Sequence, residues 1–341
     1  MRHAWRGPLM AALLIGIALS APLPALAQSD ETPQFPLFPK PALLAPNVEF
    51  WKKVFTEYRI GDFVLHDRQN LALVYGVVRV RETASQARAA ELAKPEIDRL
   101  RARLQAILIG LAAGTAAQEL GPDAGAVFEL WGCPCEPDAL LRAADNIRVQ
   151  QGLREKVDEG LARARLLMPR IIQIFREHDV PVELAALPLV ESSFNPSAYS
   201  KVGAAGLWQF MRSTGQQYMK VTKKRDDRRD PIRATDGAAH LLRANYQTLG
   251  SWPLAIIAYN HGTEGIHTAK AAVGSSAIED IIAGYTGPRF GFASKNFYAE
   301  FLAALEIVHP LILECSVKPP KPQVASNAKP TKVRRVSYRR S

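Results

Sequence analysis

Apolar side chains recur at helical spacing in two stretches of the chain. The positions are Trp51, Phe55 and Tyr58 in the first stretch, and Val149, Leu153, Val157 and Leu161 in the second. Residues three or four apart lie on one face of a helix, where they can pack against a core. The spacing therefore predicts a helix from about residue 47 and a long helix that begins at Asn146.

A third helical segment runs from Ser85 to Ala113 and is rich in Ala, Leu, Arg and Glu, which are good helix formers. Because proline lacks the amide hydrogen that a helix interior needs, Pro95 predicts a break near the start of a second helix. Residues 70–81 contain β-branched side chains, and their pattern fits either a strand or a helix.

A buried helix is predicted to begin at Ser251, which is a good N-cap and is followed by Pro253 in the first turn. The next residues are apolar nearly all round the helix, so we expect the helix to be buried. Tyr259 and Asn260 would then need partners for their polar atoms. Taken with the other segments, this predicts a mainly α protein.

The composition is that of a globular protein, with 341 residues of which 48% are hydrophobic and 22% charged. The formal net charge is +10, but residues 1–27 carry +2 of it and residues 316–341 carry +8. Residues 28–315 are therefore electrically balanced, which argues against nucleic acid as a partner. The basic segment 316–341 is expected to be a disordered tail, either held near anionic wall polymers or membrane surfaces or acting only as a solubilising end.

Residues 1–27 have the pattern of a signal peptide, with a positive start, an apolar run and Ala25-Leu26-Ala27 at the cleavage site. The apolar run is shorter than the roughly 20 residues that cross a bilayer, which favours cleavage over an uncleaved anchor. We expect an exported protein of the periplasm or cell envelope, with a linker over residues 28–46.

Three cysteines are present, and an exported protein can form disulfides. Cys133 and Cys135 are too close for a comfortable direct bridge, so either could pair with Cys315 and leave one thiol over. The spacing does not match that of a metal site, and structural or free thiols are the favoured interpretation.

Glu191 is the first candidate for chemistry. It ends an apolar run that starts at Leu187, and Asn195-Pro196 stops the helix soon afterwards. Apolar neighbours desolvate a carboxyl group and raise its pKa, and a carboxyl that keeps its proton near neutral pH can act as a general acid. On the residue alone, a solvated glutamate near a helix end is the favoured interpretation.

A second block runs from Gly203 to Met211 and places small residues before an aromatic-amide-aromatic sequence. Trp208 and Phe210 offer apolar faces suited to sugar rings, and the Gln209 amide can both donate and accept hydrogen bonds. The same aromatic residues could instead belong to the core. We expect both, with one face inward and Gln209 toward a cleft.

Three blocks together resemble the catalytic domain of the soluble lytic transglycosylases, the SLT family. The blocks are Glu191-Ser192-Ser193-Phe194-Asn195-Pro196, Gly206-Leu207-Trp208-Gln209-Phe210-Met211 and Ala258-Tyr259-Asn260-His261-Gly262. Their order and gaps match over roughly residues 176–292. A looser similarity to the D type of membrane-bound murein transglycosylases extends over most of 47–315.

This resemblance implies a goose-lysozyme-like, mostly helical fold and a lyase that cuts the β-1,4 bond between N-acetylmuramic acid and N-acetylglucosamine in peptidoglycan. It implies a 1,6-anhydro product, with peptidoglycan glycan strands as the partner and no cofactor or metal. It places the catalytic acid/base at Glu191 and substrate contacts at Ser200, Gln209, Met211 and Tyr259, with Asn260 beside them as a further candidate.

Glycosidases ordinarily use two carboxyl groups, whereas one suffices if it protonates the leaving oxygen and then deprotonates the sugar's own C6 hydroxyl. The stretch Ala293–Tyr298 lacks a glutamate that many relatives carry there, which puts a second acid at that position in doubt. The other acids left open are Asp226, Asp227, Asp230, Asp236 and Glu264. We expect Asp226, Asp227 and Asp230 to lie in a solvated loop whose charges pair with one another. His261 and His267 are expected to be structural or surface residues.

The predicted organisation is an N-terminal helical region over 47–148 and an SLT domain over 149–315 with its motif core at 176–292. Two other functions remain open. One is a hydrolytic muramidase on the same fold, and the other is a non-catalytic protein that binds the cell wall.

Overall fold

The computed structural model describes residues 35–81, 85–132 and 136–317. The predicted signal peptide, the tail from Lys318 onward, and Cys133 with Cys135 lie outside the described residues, so what was expected of them stays a prediction.

The described part is mainly α, as predicted. Its helices are α1 (Ala45–Thr56), α2 (Gln86–Ala112), α3 (Ala124–Trp131), α4 (Pro137–Asp145), α5 (Arg154–Glu177), α6 (Leu187–Ser192), α7 (Arg212–Tyr218), α8 (Pro231–Leu249), α9 (Trp252–His261), α10 (Thr263–Val273), α11 (Ile278–Gly284) and α12 (Phe292–Val317). Its strands are β1 (Asp62–Asp67), β2 (Val74–Arg79) and β3 (Ile147–Gln151).

The three strands form an antiparallel sheet with β1 in the centre, between β2 and β3. Successive side chains of a strand point to opposite faces, and β1 is buried on both. Phe63 and Leu65 pack in a hydrophobic cluster with α2, α3 and α4, whereas Val64 belongs to the main core. The sheet therefore joins two cores, and the stretch 70–81 that fitted either pattern contains a strand.

The helix predicted from Asn146 is wrong in its first turns, because residues 147–151 form β3 and α5 begins only at Arg154. The series with a period of four included Val149, which lies on the strand. Gly152 separates the two elements, and a Cβ there would collide with the backbone carbonyl groups of Tyr58 and Arg59. The chain can make this close turn because glycine has no side chain.

The break predicted at Pro95 is also wrong, since α2 continues through it. Pro95 lies on the exposed side of the helix, so the carbonyl that loses its amide partner can bond to water. The opposite face holds Ala89, Ala93 and Ile97 in the smaller core, and this packing keeps the helix continuous.

The main core is built from α1, α5, α8, α9 and α12. The helix predicted at Ser251 is confirmed as α9, and its residues from Trp252 to Ala258 are all buried. Part of the predicted linker also packs here, since Phe38 is buried and the Tyr298 hydroxyl donates to the Pro39 carbonyl. Among the described residues, we find no helix with the length and apolar character needed to cross a membrane.

Candidate active site

Glu191 lies in the last turn of α6, a short helix that Pro188 starts and whose residues 187–189 are buried. The next two residues, Ser193 and Phe194, both have left-handed backbone conformations with φ of 50° and 55°. Two successive non-glycine residues in this region are strained, and such strain persists only where the surroundings impose it.

The surroundings of this turn are well defined. The Phe194 ring is buried in the main core, and the Arg163 guanidinium on α5 donates to the Ser193 carbonyl at 3.0 Å. Gly160, one turn earlier on α5, gives the turn room, because a Cβ there would come within 2.8 Å of that carbonyl oxygen. The Ser192 hydroxyl donates to the Leu207 carbonyl at 2.7 Å, which ties the first sequence block to the second.

The Glu191 side chain is partly buried, so a substrate can still reach it. Burial, with a smaller effect from the nearby Glu300 carboxylate, raises the pKa of Glu191 from 4.5 to about 8. The desolvation predicted for this carboxyl group is thus present. At neutral pH the protonated form dominates, which is the form that a general acid needs.

Glu300 is a residue that the sequence reasoning missed. It lies on α12, two residues after the Ala293–Tyr298 stretch in which a second acid was doubted. Burial raises the pKa of Glu300 to about 8, against the opposing effect of the Arg148 charge. Glu300 is one charged residue within a run of buried apolar residues on α12, and this contrast was the available signal.

Gln209 lies in a tight turn with a positive φ of 47°. Its side-chain amide donates to the Gly206 carbonyl at 2.8 Å. Trp208 and Phe210 on either side are buried to 0% and 2% exposure, so the expectation that they also present faces to a sugar is wrong. They anchor the turn in the core and leave only Gln209 partly exposed.

The buried side chain of Arg228 stabilises the turn that carries Gln209. Its buried guanidinium donates to the carbonyl groups of Gly203 and Phe210 at 2.9 and 3.0 Å and pairs with Asp226. Gly206 packs so closely on the Arg228 backbone that no side chain would fit there. The loop predicted as solvated and self-paired is indeed self-paired, but its Arg228 is buried and structural.

Tyr259 on α9 brings the third block to the other two. Its hydroxyl donates to the Trp208 carbonyl at 2.7 Å. Burial raises the pKa of Tyr259 well above its usual value, and the negative charge of Glu191 adds to the effect. The phenol therefore stays neutral, and it lies within electrostatic reach of the Glu191 carboxyl.

The remaining predicted residues lie at the edges of this arrangement. The Ser200 hydroxyl accepts the Ala204 amide at 2.9 Å within the loop that leads to Gln209. Met211 follows that turn and is 43% exposed. Asn260 is exposed, contrary to the expected burial, and accepts a hydrogen bond from Ser294 on α12 at 3.2 Å.

The acids proposed earlier as second carboxylates have other partners or are exposed. Asp227 pairs with Arg225 at 2.6 Å, Asp230 accepts the first amides of α8, and Glu264 is an exposed residue in the first turn of α10.

A groove of about 570 Å³ is lined by residues that include Arg68 and Phe292, and the six predicted site residues do not line it.

Residues 172–282 match the family described as "Transglycosylase SLT domain". The resemblance predicted from the three blocks is therefore confirmed for this stretch, which we call the SLT segment. The SLT segment contains Glu191, Gln209 and Tyr259, and Glu300 lies beyond it.

Two curated relatives are similar over part of their length. Membrane-bound lytic murein transglycosylase D of Escherichia coli (strain K12) is 40% identical over 137 residues, which are 37% of this chain and 30% of the relative. The putative tributyltin chloride resistance protein of Alteromonas sp. (strain M-1) is 35% identical over 103 residues, 30% of this chain and 50% of the relative. The chain thus spans no more than half the length of either relative.

A distant likeness exists to the crystal structure of the 70 kDa soluble lytic transglycosylase from Escherichia coli. The TM-score is 0.36 at 15% identity, over 66% of this chain and 45% of that one.

Proposed function

We propose that this protein is a peptidoglycan lytic transglycosylase. It cuts the β-1,4 bond between N-acetylmuramic acid and N-acetylglucosamine without water and leaves a 1,6-anhydro end. The observation that carries the proposal is a partly buried Glu191 with a pKa of about 8, beside Tyr259 and the Gln209 turn, within the SLT segment. The name of the Escherichia coli relative, a lytic murein transglycosylase, supports the same substrate class.

In the proposed reaction Glu191 acts twice. Its proton passes to the glycosidic oxygen as the bond to C1 breaks, and the carboxylate that remains then accepts the proton of the C6 hydroxyl as that oxygen attacks C1. Because the nucleophile belongs to the same sugar, the attack is intramolecular and needs no bound water. A second carboxylate is not required.

Gln209 and Tyr259 have different parts in this proposal. The partly exposed Gln209 amide is available to the substrate, whereas the Tyr259 hydroxyl already donates to the Trp208 carbonyl. Tyr259 therefore positions the turn, and it lies within electrostatic reach of Glu191. We propose Ser200, Met211 and Asn260 as outer contacts to the glycan strand.

Glu300 keeps a hydrolytic muramidase as a second candidate, since an inverting enzyme needs a second carboxylate to activate water. Such a base must be ionised at the working pH. Glu300 prefers its neutral form near pH 7 because burial raises its pKa to about 8, although the charge of Arg148 opposes that effect. It therefore fits poorly as a base that must be ionised near neutral pH.

The products of digestion test the proposal. Purified sacculi are treated with the protein, and the released muropeptides are analysed by mass spectrometry. Lytic cleavage gives anhydro ends that are lighter by one water than hydrolysed ends. Glu191→Gln should abolish release, while Glu264→Gln, which changes an exposed glutamate of the SLT segment, should not.

The other outcomes separate the remaining candidates. Hydrolysed ends that disappear in Glu300→Gln would support the muramidase. Binding to sacculi with no release by the wild-type protein would support a wall-binding role without catalysis.

We also propose that the protein works in the periplasm or cell envelope, because its substrate class is found there and residues 1–27 have a signal-peptide pattern. Residues 149–315 would form the catalytic domain on a support made by residues 47–148. The basic segment 316–341 would hold the protein near anionic wall polymers or membrane surfaces. Detection of the protein in a spheroplast supernatant, against a cytoplasmic marker, tests the location.

A further inference from the structure

Three side chains that commonly bind metals meet where the end of α5 contacts α8. His178 follows the last residue of α5, and Asp236 and His240 lie one turn apart on α8. Their ligand atoms all lie within 4.8 Å of one another. We propose that His178, Asp236 and His240 form a binding site for a divalent transition-metal ion of the zinc type.

The distances fit a site that needs little rearrangement. His178 Nε2 is 2.8 Å from Asp236 Oδ1, and His240 Nε2 is 4.0 Å from Asp236 Oδ2. Zinc binds such atoms at about 2.0–2.2 Å, which separates neighbouring ligands by roughly 3–3.5 Å. The His240 side chain is 53% exposed, so it can change its rotamer to close the remaining gap.

The backbone that carries these side chains is already fixed. The His178 amide donates to the carbonyl groups of Ile174 and Phe175 at 3.1 and 3.2 Å, which completes the end of α5. Asp179 follows with a left-handed φ of 52°, and the Arg243 guanidinium on α8 donates to its carbonyl at 2.9 Å. The two helices are therefore held together beside the cluster without an ion.

The ligand set selects the class of metal. Two imidazoles and one carboxylate suit zinc, nickel and copper, whereas calcium and magnesium prefer sites made only of oxygen. Three protein ligands leave the remaining coordination positions to water. Because the cluster lies at the surface, bound metal should exchange with the medium.

The cluster is separate from the proposed acid/base but borders the scaffold of the same site. Phe175 on α5 packs on the Trp208 ring with centroids 5.6 Å apart, and Trp208 Nε1 donates to Thr235 Oγ1 on α8 at 2.9 Å. Thr235 is adjacent to Asp236. An ion would thus join the two helices that enclose Trp208, and its main effect would be on stability. The inference does not depend on the proposed function.

Titration of the metal-free protein with zinc tests the site. We expect one zinc per chain with a dissociation constant in the micromolar range or below, and a rise of a few degrees in the unfolding temperature. His240→Gln and Asp236→Asn should each weaken binding at least tenfold and remove the rise. His267→Gln, which changes an exposed histidine on α10, should bind zinc as the wild type does.

Two controls keep the result decisive. Melting curves without zinc check that the variants are folded, and His178→Gln gives a third independent change. Cobalt in place of zinc reports the ligands by absorption, and a strong thiolate band would assign the metal to cysteine and overturn the proposal. Undiminished zinc binding in the variants, or well below one zinc per wild-type chain, would also overturn it.

Discussion

Replacing Glu191 by glutamine should make the protein more stable while it removes the activity. Glutamine has nearly the shape of the protonated carboxyl group, so the packing is retained. The two side chains differ because the glutamate can lose its proton and the glutamine cannot. In the folded protein the pKa of Glu191 is about 8, against 4.5 for an ordinary glutamate.

The pH dependence of the gain follows from these two values. Below pH 4.5 the folded and unfolded states both hold the proton, so wild type and variant should have equal stability. Between pH 4.5 and about 8 the unfolded chain releases the proton and the folded protein keeps it, so the wild type loses stability as the pH rises. The variant has no such loss, and its relative gain levels off above the folded pKa.

The size of the gain follows from the same two pKa values. Each pKa unit corresponds to about 1.4 kcal/mol, which would give about 3 kcal/mol at pH 7 for a fully desolvated group. Because Glu191 keeps some exposure, we expect a gain on the order of 1–3 kcal/mol. Loss of the general acid should lower the rate of release from sacculi by roughly 10²–10⁴-fold or more.

Urea denaturation followed by circular dichroism at pH 4, 6 and 8 measures the gain, with Glu264→Gln as the matched control. The exposed Glu264 lies in the first turn of α10, so its replacement should change stability by only a few tenths of a kcal/mol at any of these pH values. Equal stability of Glu191→Gln and wild type at pH 8, or a gain already present at pH 4, would contradict a raised pKa of Glu191 as the source of the gain.

Four further changes test the parts that surround the acid. Glu300→Gln removes a neighbouring carboxyl group that becomes negative as the pH approaches 8, so the alkaline limb of the pH–rate profile should move to lower pH; an unchanged limb would show that Glu300 does not influence Glu191. Tyr259→Phe leaves a buried carbonyl without its donor and should destabilise by about 1–3 kcal/mol in urea denaturation, and a neutral effect would contradict the hydrogen bond that the structure shows. Arg228→Met should cost about 2–4 kcal/mol because several carbonyl and carboxylate partners lose their donor, and activity at full stability would argue against its role in holding the turn. Gly206→Ala should reduce the yield of folded protein and cost more than about 2 kcal/mol, since its φ of 81° and the adjacent backbone leave no space, whereas a melting temperature within 2 °C of wild type would be inconsistent with that packing.

Much of the helical framework could be predicted because its signals are local. Ser251 and Pro253 mark the start of α9, and the apolar run that follows accounts for its burial. By contrast, the apolar spacing of four that includes Val149 and Leu153 runs across two elements, because Val149 lies on β3 and Leu153 directly precedes α5. Only the pairing of β3 with β1 decides between them, and that pairing is not local.

In the candidate active site, too, local signals could be predicted from the sequence and non-local ones could not. The apolar neighbours of Glu191 in sequence suggested a raised pKa, and its burial in the folded protein raises that pKa. Glu300 could not be assigned to the site, since α12 is distant in sequence and its approach to Glu191 depends on tertiary packing. Trp208 was ambiguous for a related reason, because an aromatic residue in a motif can serve the core or a ligand, and here the core encloses it.

The proposed reaction requires that Glu191 keeps its proton near neutral pH. A carbon-13 NMR titration of glutamate side chains measures this directly, with the Glu191 signal assigned by its absence in Glu191→Gln. We expect a midpoint near pH 8. A midpoint near pH 4.5, the value of an ordinary exposed glutamate, would contradict it.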